Sequence, residues 1–298
     1  MSIANDLKKI KCGKLLQNVD LSLYTTYKLK ATASYVVIPS DIDDLLRVMN
    51  YIKKNDLKYK ILGGGSNLIF DCDRYEGILI YLGKFDDVVI HDTQIHVGAG
   101  YPLMKLALKV SRLGLTGMEF ATGIPGTIGG AVFNNAGAYG SDMGYIVESV
   151  TVLTPELRVK TLYNKDMEFH YRTSYFKTHP GYVCLDAKII LKPGDKEIIQ
   201  TIIEDRKKRR LMTQPLEYPS AGSVFRNPPN LYAGELIENI GYKGRTIGGA
   251  KVSEKHANFI INYASATGKD IVTLIEEIQL KVKEKYDVDL FLEQEIVK

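Results

Sequence analysis

The chain has 298 residues, 45% hydrophobic and 25% charged, which excludes collagen-like, disulfide-framework and generally disordered proteins. A chain of this length buries roughly 75% of the surface its unfolded form would expose, enough for two domains or one large one. The net charge of +4, from 39 basic and 35 acidic residues, is too balanced to demand a nucleic-acid partner and is compatible with an anionic small molecule.

In chain order, 33–39 reads as a strand. Ser40 and Asp41 then offer a side-chain cap to a helix whose apolar face is Ile42, Leu45, Leu46, Met49 and Ile52. A short strand over 59–62 completes a βαβ unit and runs straight into Gly63-Gly64-Gly65-Ser66-Asn67. Strands over 78–82, 88–91 and 94–97 precede a helix led by Pro102, with Leu103, Leu106, Ala107, Val110 and Leu113 inward and Gly114 ending it. A second glycine-rich loop spans 123–140. Strands over 147–153, 158–162 and 182–191 follow, then a helix near 198–210 whose basic run Arg206 to Arg210 reads as a solvated face. Pro215 and Pro219 mark a boundary. Beyond it the patterning predicts strands over 223–226 and 259–262, an amphipathic helix over 270–286 and a last strand over 290–297. Fixed-period repeats and low-complexity segments are absent from the sequence.

Cys12, Cys72 and Cys184 are odd in number and widely spaced, so neither a disulfide framework nor a zinc ribbon is expected, and a reducing cytoplasm fits best. The five histidines form no metalloprotease pattern, and no bound metal is expected. Residues 1–10 lack the continuous apolar core of a signal peptide, and no apolar run approaches membrane-spanning length. The expectation is a soluble cytoplasmic protein with no membrane or nucleic-acid partner and no obligate protein partner.

The two small-residue loops carry the chemistry. Glycines let the main chain approach a ligand closely, so amides of Gly63, Gly64, Gly65, Ser66 and Asn67 can converge on a diphosphate, although a tight turn is the simpler alternative. The loop is neither a Walker loop nor Gly-x-Gly-x-x-Gly, and Gly98-Ala99-Gly100 fails the dinucleotide fingerprint at Leu103, which disfavours a Rossmann cofactor domain. The 123–140 stretch holds six glycines in eighteen positions, which clears room for something flat and large; a set of strand bends is the alternative, and the presence of two such loops favours cofactor binding.

Five motifs occur in order: Leu62-Gly63-Gly64-Gly65-Ser66-Asn67; Gly123-Ile124-Pro125-Gly126 through Gly137-Ala138-Tyr139-Gly140; Tyr171-Arg172-Thr173-Ser174; Ala221-Gly222-Ser223-Val224-Phe225-Arg226-Asn227-Pro228; and Leu292-Glu293-Gln294-Glu295. With them the sequence resembles the UDP-N-acetylenolpyruvoylglucosamine reductase (UDP-N-acetylmuramate dehydrogenase) family, over nearly the whole chain from Thr25 onward. The resemblance implies an α+β, FAD-binding fold of the vanillyl-alcohol-oxidase type, with two FAD-binding subdomains (1–78 and 79–212) and a C-terminal α/β substrate-binding domain (213–298). It implies non-covalent FAD, NADPH as electron donor, and reduction of UDP-N-acetylglucosamine enolpyruvate in peptidoglycan synthesis.

By that resemblance Gly63, Gly64, Gly65, Ser66 and Asn67 wrap the FAD diphosphate, and Ile124, Pro125, Gly126, Gly129, Gly130, Ala131, Asn135, Ala136 and Gly137 line the flavin. Ser223 is the proton donor, although an isolated serine after Gly222 is more often a turn residue or helix cap, and only the family context reverses that reading. Arg172 holds the enolpyruvyl carboxylate, against the alternative of a surface arginine. Glu295 polarises the intermediate, with Glu293 at the same strand parity in reserve. Tyr171, Asn227, Lys243 and His256 are implied in the substrate pocket, packing being the competing role for Tyr171 and His256. The short stretch from Arg172 to the strand start at Tyr182 implies the family's shorter form, without an extra tyrosine loop. An alternative is an alcohol or sugar oxidase of the same fold. Such enzymes often tether FAD through histidine or cysteine, but His91 and His96 lie on predicted strands outside both loops.

Overall fold

The computed structural model describes residues 3–298; Met1 and Ser2, which open the amino-terminal stretch, lie outside the described residues. The strand Thr32–Ile38, which follows an unforeseen strand Lys14–Asp20, leads to the helix Ile42–Lys54, whose cap is Asp41: its carboxylate accepts the Asp44 N–H at 2.8 Å. Leu45, Val48, Met49 and Ile52 recur every three to four residues and are buried. The next strand, Tyr59–Leu62, pairs in parallel with Arg74–Tyr81, Tyr59 opposite Ile78 and Leu62 opposite Tyr81. The sheet order is Lys14–Asp20, Thr32–Ile38, Arg74–Tyr81, Tyr59–Leu62. The βαβ unit is therefore open at its middle, and a later strand inserts there.

The chain divides into two compact units, each drawn from separate stretches. One comprises the stretch ending at Gln17 with Tyr35–Gly64 and Gly77–Lys207; the other comprises Asn18–Ser34, Gly65–Glu76 and Lys208–Lys298. The first unit is built on an antiparallel sheet ordered Val159–Tyr163, Val147–Leu153, Val183–Ile190, Gln94–Gly98, Val88–His91. Register places Ala187 opposite Val97 and Ile189 opposite Ile95, so these two inner strands share an apolar, buried face. The helix Leu103–Arg112 packs Leu103, Leu106, Ala107 and Val110 into the same core and ends before Gly114, whose φ of 80° suits glycine.

The glycine-rich stretch after Gly123 is not loop throughout. Ile128–Asn134 is a helix, started by Thr127, whose hydroxyl accepts the Gly130 N–H, and ended by Asn135 in the left-handed region. Ile128, Ala131 and Val132 supply the helical period, which the glycine count concealed.

In the second unit the helix Gly268–Tyr286 buries Ile271, Leu274, Ile275, Ile278 and Val282 against the strands Thr246–Ile247, Ala250–Val252 and Ile260–Asn262. The closing strand, Glu295–Val297, pairs in parallel with Leu68–Phe70. Two expected strands shrink. The segment 223–226 contributes only a bridge from Phe225 to Leu292, and the last strand starts at Glu295 rather than at 290. Around that bridge the Arg226 N–H donates to the Phe291 carbonyl at 2.9 Å and the Glu293 N–H to that of Val224 at 2.8 Å, while the Asn258 side chain takes both backbone groups of Phe225. The helices Ile3–Lys9 and Ala233–Asn239 were not expected from the pattern. Among the described residues no helix is long and apolar enough to cross a membrane.

The start of Gly268–Tyr286 is fixed by a capping box. Thr267 Oγ1 accepts the Asp270 N–H at 3.1 Å while an Asp270 carboxylate oxygen accepts the Thr267 N–H at 2.9 Å and the Gly249 N–H at 3.2 Å. Thr267→Ala is expected to lower unfolding free energy in urea by about 1 kcal/mol with an unchanged m value.

Candidate active site

The strand Tyr59–Leu62 delivers its chain directly into the first glycine loop, and the second loop lies against it. A Cβ at Gly64 would stand 2.6 Å from the Gly126 Cα, and one at Gly63 would stand 2.6 Å from Thr127 Oγ1. The two loops, far apart in sequence, therefore touch main chain to main chain, which only glycine permits. Behind them the second loop is sewn to Ala99 and Tyr101: Gly129 N–H donates to the Ala99 carbonyl at 2.8 Å and Ile128 N–H to that of Tyr101 at 2.9 Å. A Cβ at Gly129 would press on Ala99 Cβ at 2.8 Å, so this glycine serves packing. Gly130 differs. A Cβ there would meet nothing nearer than Thr127 Oγ1 at 3.7 Å.

Within the same unit, Tyr171 and Arg172 occupy the tip of a tight turn closed by reciprocal bonds between His170 and Thr173, N–H to carbonyl at 3.1 and 3.0 Å. Arg172 has φ 56°, a left-handed conformation that disfavours a side chain by roughly 1 kcal/mol. Its Nη2 donates to the Gly137 carbonyl at 2.8 Å, and its guanidinium carbon lies 5.1 Å from the half-exposed Tyr171 ring. The arginine thus meets the end of the second glycine loop. Asn135 is buried, and its side chain is used inside the protein: Nδ2 donates to the His170 carbonyl at 2.8 Å and Oδ1 accepts the Gly144 N–H at 2.9 Å. Ala131 is also buried in the core, so both residues shape the loop from behind, while Pro125 is exposed and Ile124 and Ala136 are half-buried.

In the second unit Gly65, at φ 59°, backs onto the Tyr24 carbonyl so closely that any Cβ would collide with it, and its own carbonyl accepts the Thr26 N–H at 3.2 Å. Asn67 reaches the terminal segment: its Nδ2 donates to the Glu293 carbonyl at 3.1 Å, and its carbonyl accepts the Glu295 N–H at 2.9 Å. Both half-buried glutamates are thereby tied to the first glycine loop.

Ser223 is half-buried and sits on a segment gripped from both sides. Buried Gln294 donates to the carbonyls of Ala221 and Gly222 at 3.2 and 3.1 Å, and its Oε1 accepts the hydroxyl of fully buried Tyr27 at 3.1 Å. Asn258 bonds both backbone groups of Phe225, at 2.9 and 2.8 Å. Burial drives the Tyr27 phenol well above its usual range, so it stays a donor to Gln294 at any ordinary pH.

Asn227, Lys243 and His256 gather around the helix Ala233–Asn239. Asn227 Oδ1 accepts the Ala233 N–H at 3.1 Å, Lys243 pairs with Glu238 at 2.7 Å, and the His256 ring lies against Gly234. Burial, aided by the charge of Lys243, pushes the His256 imidazole below its usual 6.5. Its Nδ1 accepts the Asn258 N–H at 3.2 Å, so the neutral ring carries its proton on Nε2.

Comparison with known proteins decides the family. An FAD binding domain model matches residues 33–162, and the model of the C-terminal domain of UDP-N-acetylenolpyruvoylglucosamine reductase matches 214–297. Reductases of that name from Anoxybacillus flavithermus and Bacillus subtilis are each 43% identical, over 99% of this chain and 98% of their own. The chain belongs to the UDP-N-acetylenolpyruvoylglucosamine reductase family. The crystal structure of the Thermus caldophilus family member superposes with a TM-score of 0.81 at 31% identity, over 96% of this chain and 98% of that one. Berberine bridge enzyme from Eschscholzia californica, at 16% identity and a TM-score of 0.50 over 65% of this chain and 44% of that one, shares the fold alone.

The residues present fit the family's FAD. An exposed, side-chain-free peptide at Gly64 suits a diphosphate, and the open space over Gly130 suits a flat ring. Three residues of the site were missed in the sequence. Gln294 and Asn258 hold the serine segment, and Lys177 donates to the Arg172 carbonyl at 2.9 Å. Only Gln294 left a signal, standing between two glutamates in a strand-like alternation that turns it inward.

Because the folded His256 has the lower pKa, the unfolded chain binds the extra proton, and stability falls as pH drops from 6.5 through the folded value. His256→Gln is expected to flatten the pH dependence of urea midpoints in that window while leaving the slope above pH 7 unchanged.

Proposed function

We propose that the chain reduces UDP-N-acetylenolpyruvoylglucosamine to UDP-N-acetylmuramate, a step of peptidoglycan synthesis, with NADPH as donor and non-covalent FAD as carrier. FAD bound against Gly64 and the 123–137 segment would supply the hydride chemistry that links NADPH to the β-carbon of the enol ether. Because both partners would use the same pocket, NADP leaves before the sugar nucleotide enters, and the kinetics are ping-pong.

The chain's own residues do the rest. Hydride addition at the β-carbon places negative charge on the α-carbon and its carboxylate. Arg172, with a planar fork of donors, holds that carboxylate, and the attraction strengthens as the acceptor becomes enolate-like. Glu295 polarises the same intermediate from the terminal strand. The Ser223 hydroxyl gives its proton to the α-carbon, which completes addition of hydride and proton across the double bond. A hydroxyl is a weak acid, so the transfer requires a fixed serine facing a strong carbanionic base. The clamps of Gln294 and Asn258 on 221–225 support that fixity.

The Asn227, Lys243 and His256 group offers an amide, an ammonium and a neutral imidazole donor, a set suited to the nucleotide diphosphate and sugar. A cytoplasmic location follows from the NADPH requirement and suits Cys12, Cys72 and Cys184, which form no disulfide among the described residues.

The observation that carries the proposal is the meeting of the glycine loops at Gly64 and Gly126 with Arg172 bonded to Gly137 of the second loop. That contact sets the residue suited to a carboxylate beside the segment suited to a flavin. Stopped-flow separation of the half-reactions tests the roles. Ser223→Ala is expected to leave flavin bleaching by NADPH within about twofold of wild type and to slow reoxidation by the sugar nucleotide by at least roughly a thousandfold. Equal loss in both half-reactions would contradict the proton-donor role.

A further inference from the structure

The Tyr171-Arg172 turn raises a physical question that the substrate chemistry leaves open. A non-glycine residue at φ 56° keeps that backbone only while its surroundings over-determine it. The reciprocal His170–Thr173 bonds and the Asn135 bond to the His170 carbonyl fix the base of the turn. Lys177 reaches its tip. From the short helix Tyr175–Thr178 its ammonium donates to the Arg172 carbonyl at 2.9 Å while lying 5.9 Å from the centre of the Phe133 ring. Phe133 is itself anchored: its carbonyl accepts the hydroxyl of fully buried Ser174 at 2.7 Å, and its ring stacks on Phe176 at 6.1 Å.

We infer that Lys177 is a positioning residue for the carboxylate-binding arginine: its ammonium, braced on Phe133, locks the strained Arg172 peptide so that the guanidinium is pre-set for an acidic substrate. The inference rests on the reading of Arg172 as the carboxylate holder and deepens it, since Lys177 acts on the substrate only through Arg172. Pre-setting matters because a guanidinium free to swing would pay rotamer entropy at each binding event. A lysine suits the task. Its flexible stem follows the aromatic face while its charged head makes a hydrogen bond stronger than a neutral donor would.

Lys177→Met keeps the apolar stem over Phe133 and removes only the charged donor. The test is calorimetric, on oxidised holoenzyme, with two nucleotides that differ in the acid group: UDP-N-acetylmuramate, which carries a carboxylate, and UDP-N-acetylglucosamine, which lacks it. Lys177→Met is expected to weaken the first by about tenfold, the loss of one charge-assisted hydrogen bond, and to leave the second unchanged. Lys177→Arg is expected to restore binding to within about threefold, because it returns a charged donor at similar reach. In an Arg172→Ala background, Lys177→Met is expected to add nothing.

Equal weakening of both nucleotides, or an undiminished Lys177→Met effect in the Arg172→Ala background, would overturn the inference; the second result would make Lys177 a direct ligand. Selective loss in Arg172→Ala with none in Lys177→Met would also overturn it and leave the Arg172 reading standing. An Arg172→Ala protein that binds UDP-N-acetylmuramate as tightly as wild type would overturn that reading itself, and the inference with it.

Discussion

The close approach of Gly64 to Gly126 is the constraint on which the rest of the first unit's site depends. With a Cβ at 2.6 Å from the opposing Cα, no other residue fits at Gly64 without parting the loops. One loop is positioned by a parallel strand, Tyr59–Leu62, and the other by a short helix, Ile128–Asn134, whose first peptides are bonded to Ala99 and Tyr101. Rigid elements therefore deliver two nearly bare peptides to one place. Arg172 is referenced to the same frame through Gly137, and in the second unit Asn67 gives the terminal glutamates a similar reference to Gly65 and Ser66.

Buried amides recur as the fixing device. Asn135, Asn258 and Gln294 each use both ends of the side chain inside the protein, and each ties together segments far apart in sequence. One such bond contributes only about 1 kcal/mol net, yet leaving its buried partners unsatisfied costs more, so each amide enforces one local geometry. The residues proposed to act on the substrate sit on irregular backbone: Ser223 outside any strand, Arg172 in a left-handed turn. The amides supply the order that a sheet ladder would otherwise give.

What could be seen in the sequence follows from how local each signal is. The cap at Asp41, the strand 147–153 and the helix ending at Gly114 are written in neighbouring residues and appear where the pattern puts them. The glycine loops and the serine, arginine and glutamate motifs were legible as motifs. Their mutual contacts were not, because the Gly64–Gly126 approach and the Arg172–Gly137 bond depend on tertiary closure. The helix Ile128–Asn134 was hidden by its own glycines, which lower helix propensity while Thr127 and the buried Ile128, Ala131 and Val132 override it. Lys177 and Asn258 gave no warning, since their partners are backbone carbonyls and amides, and every residue type supplies those.

The visible spectrum of the purified, folded protein under anaerobic conditions tests the central claim most directly. The account predicts a flavin absorption band that NADPH bleaches and that UDP-N-acetylenolpyruvoylglucosamine then restores. Folded protein that is colourless and takes up no added FAD, or a bleached band that the sugar nucleotide leaves bleached, would contradict it.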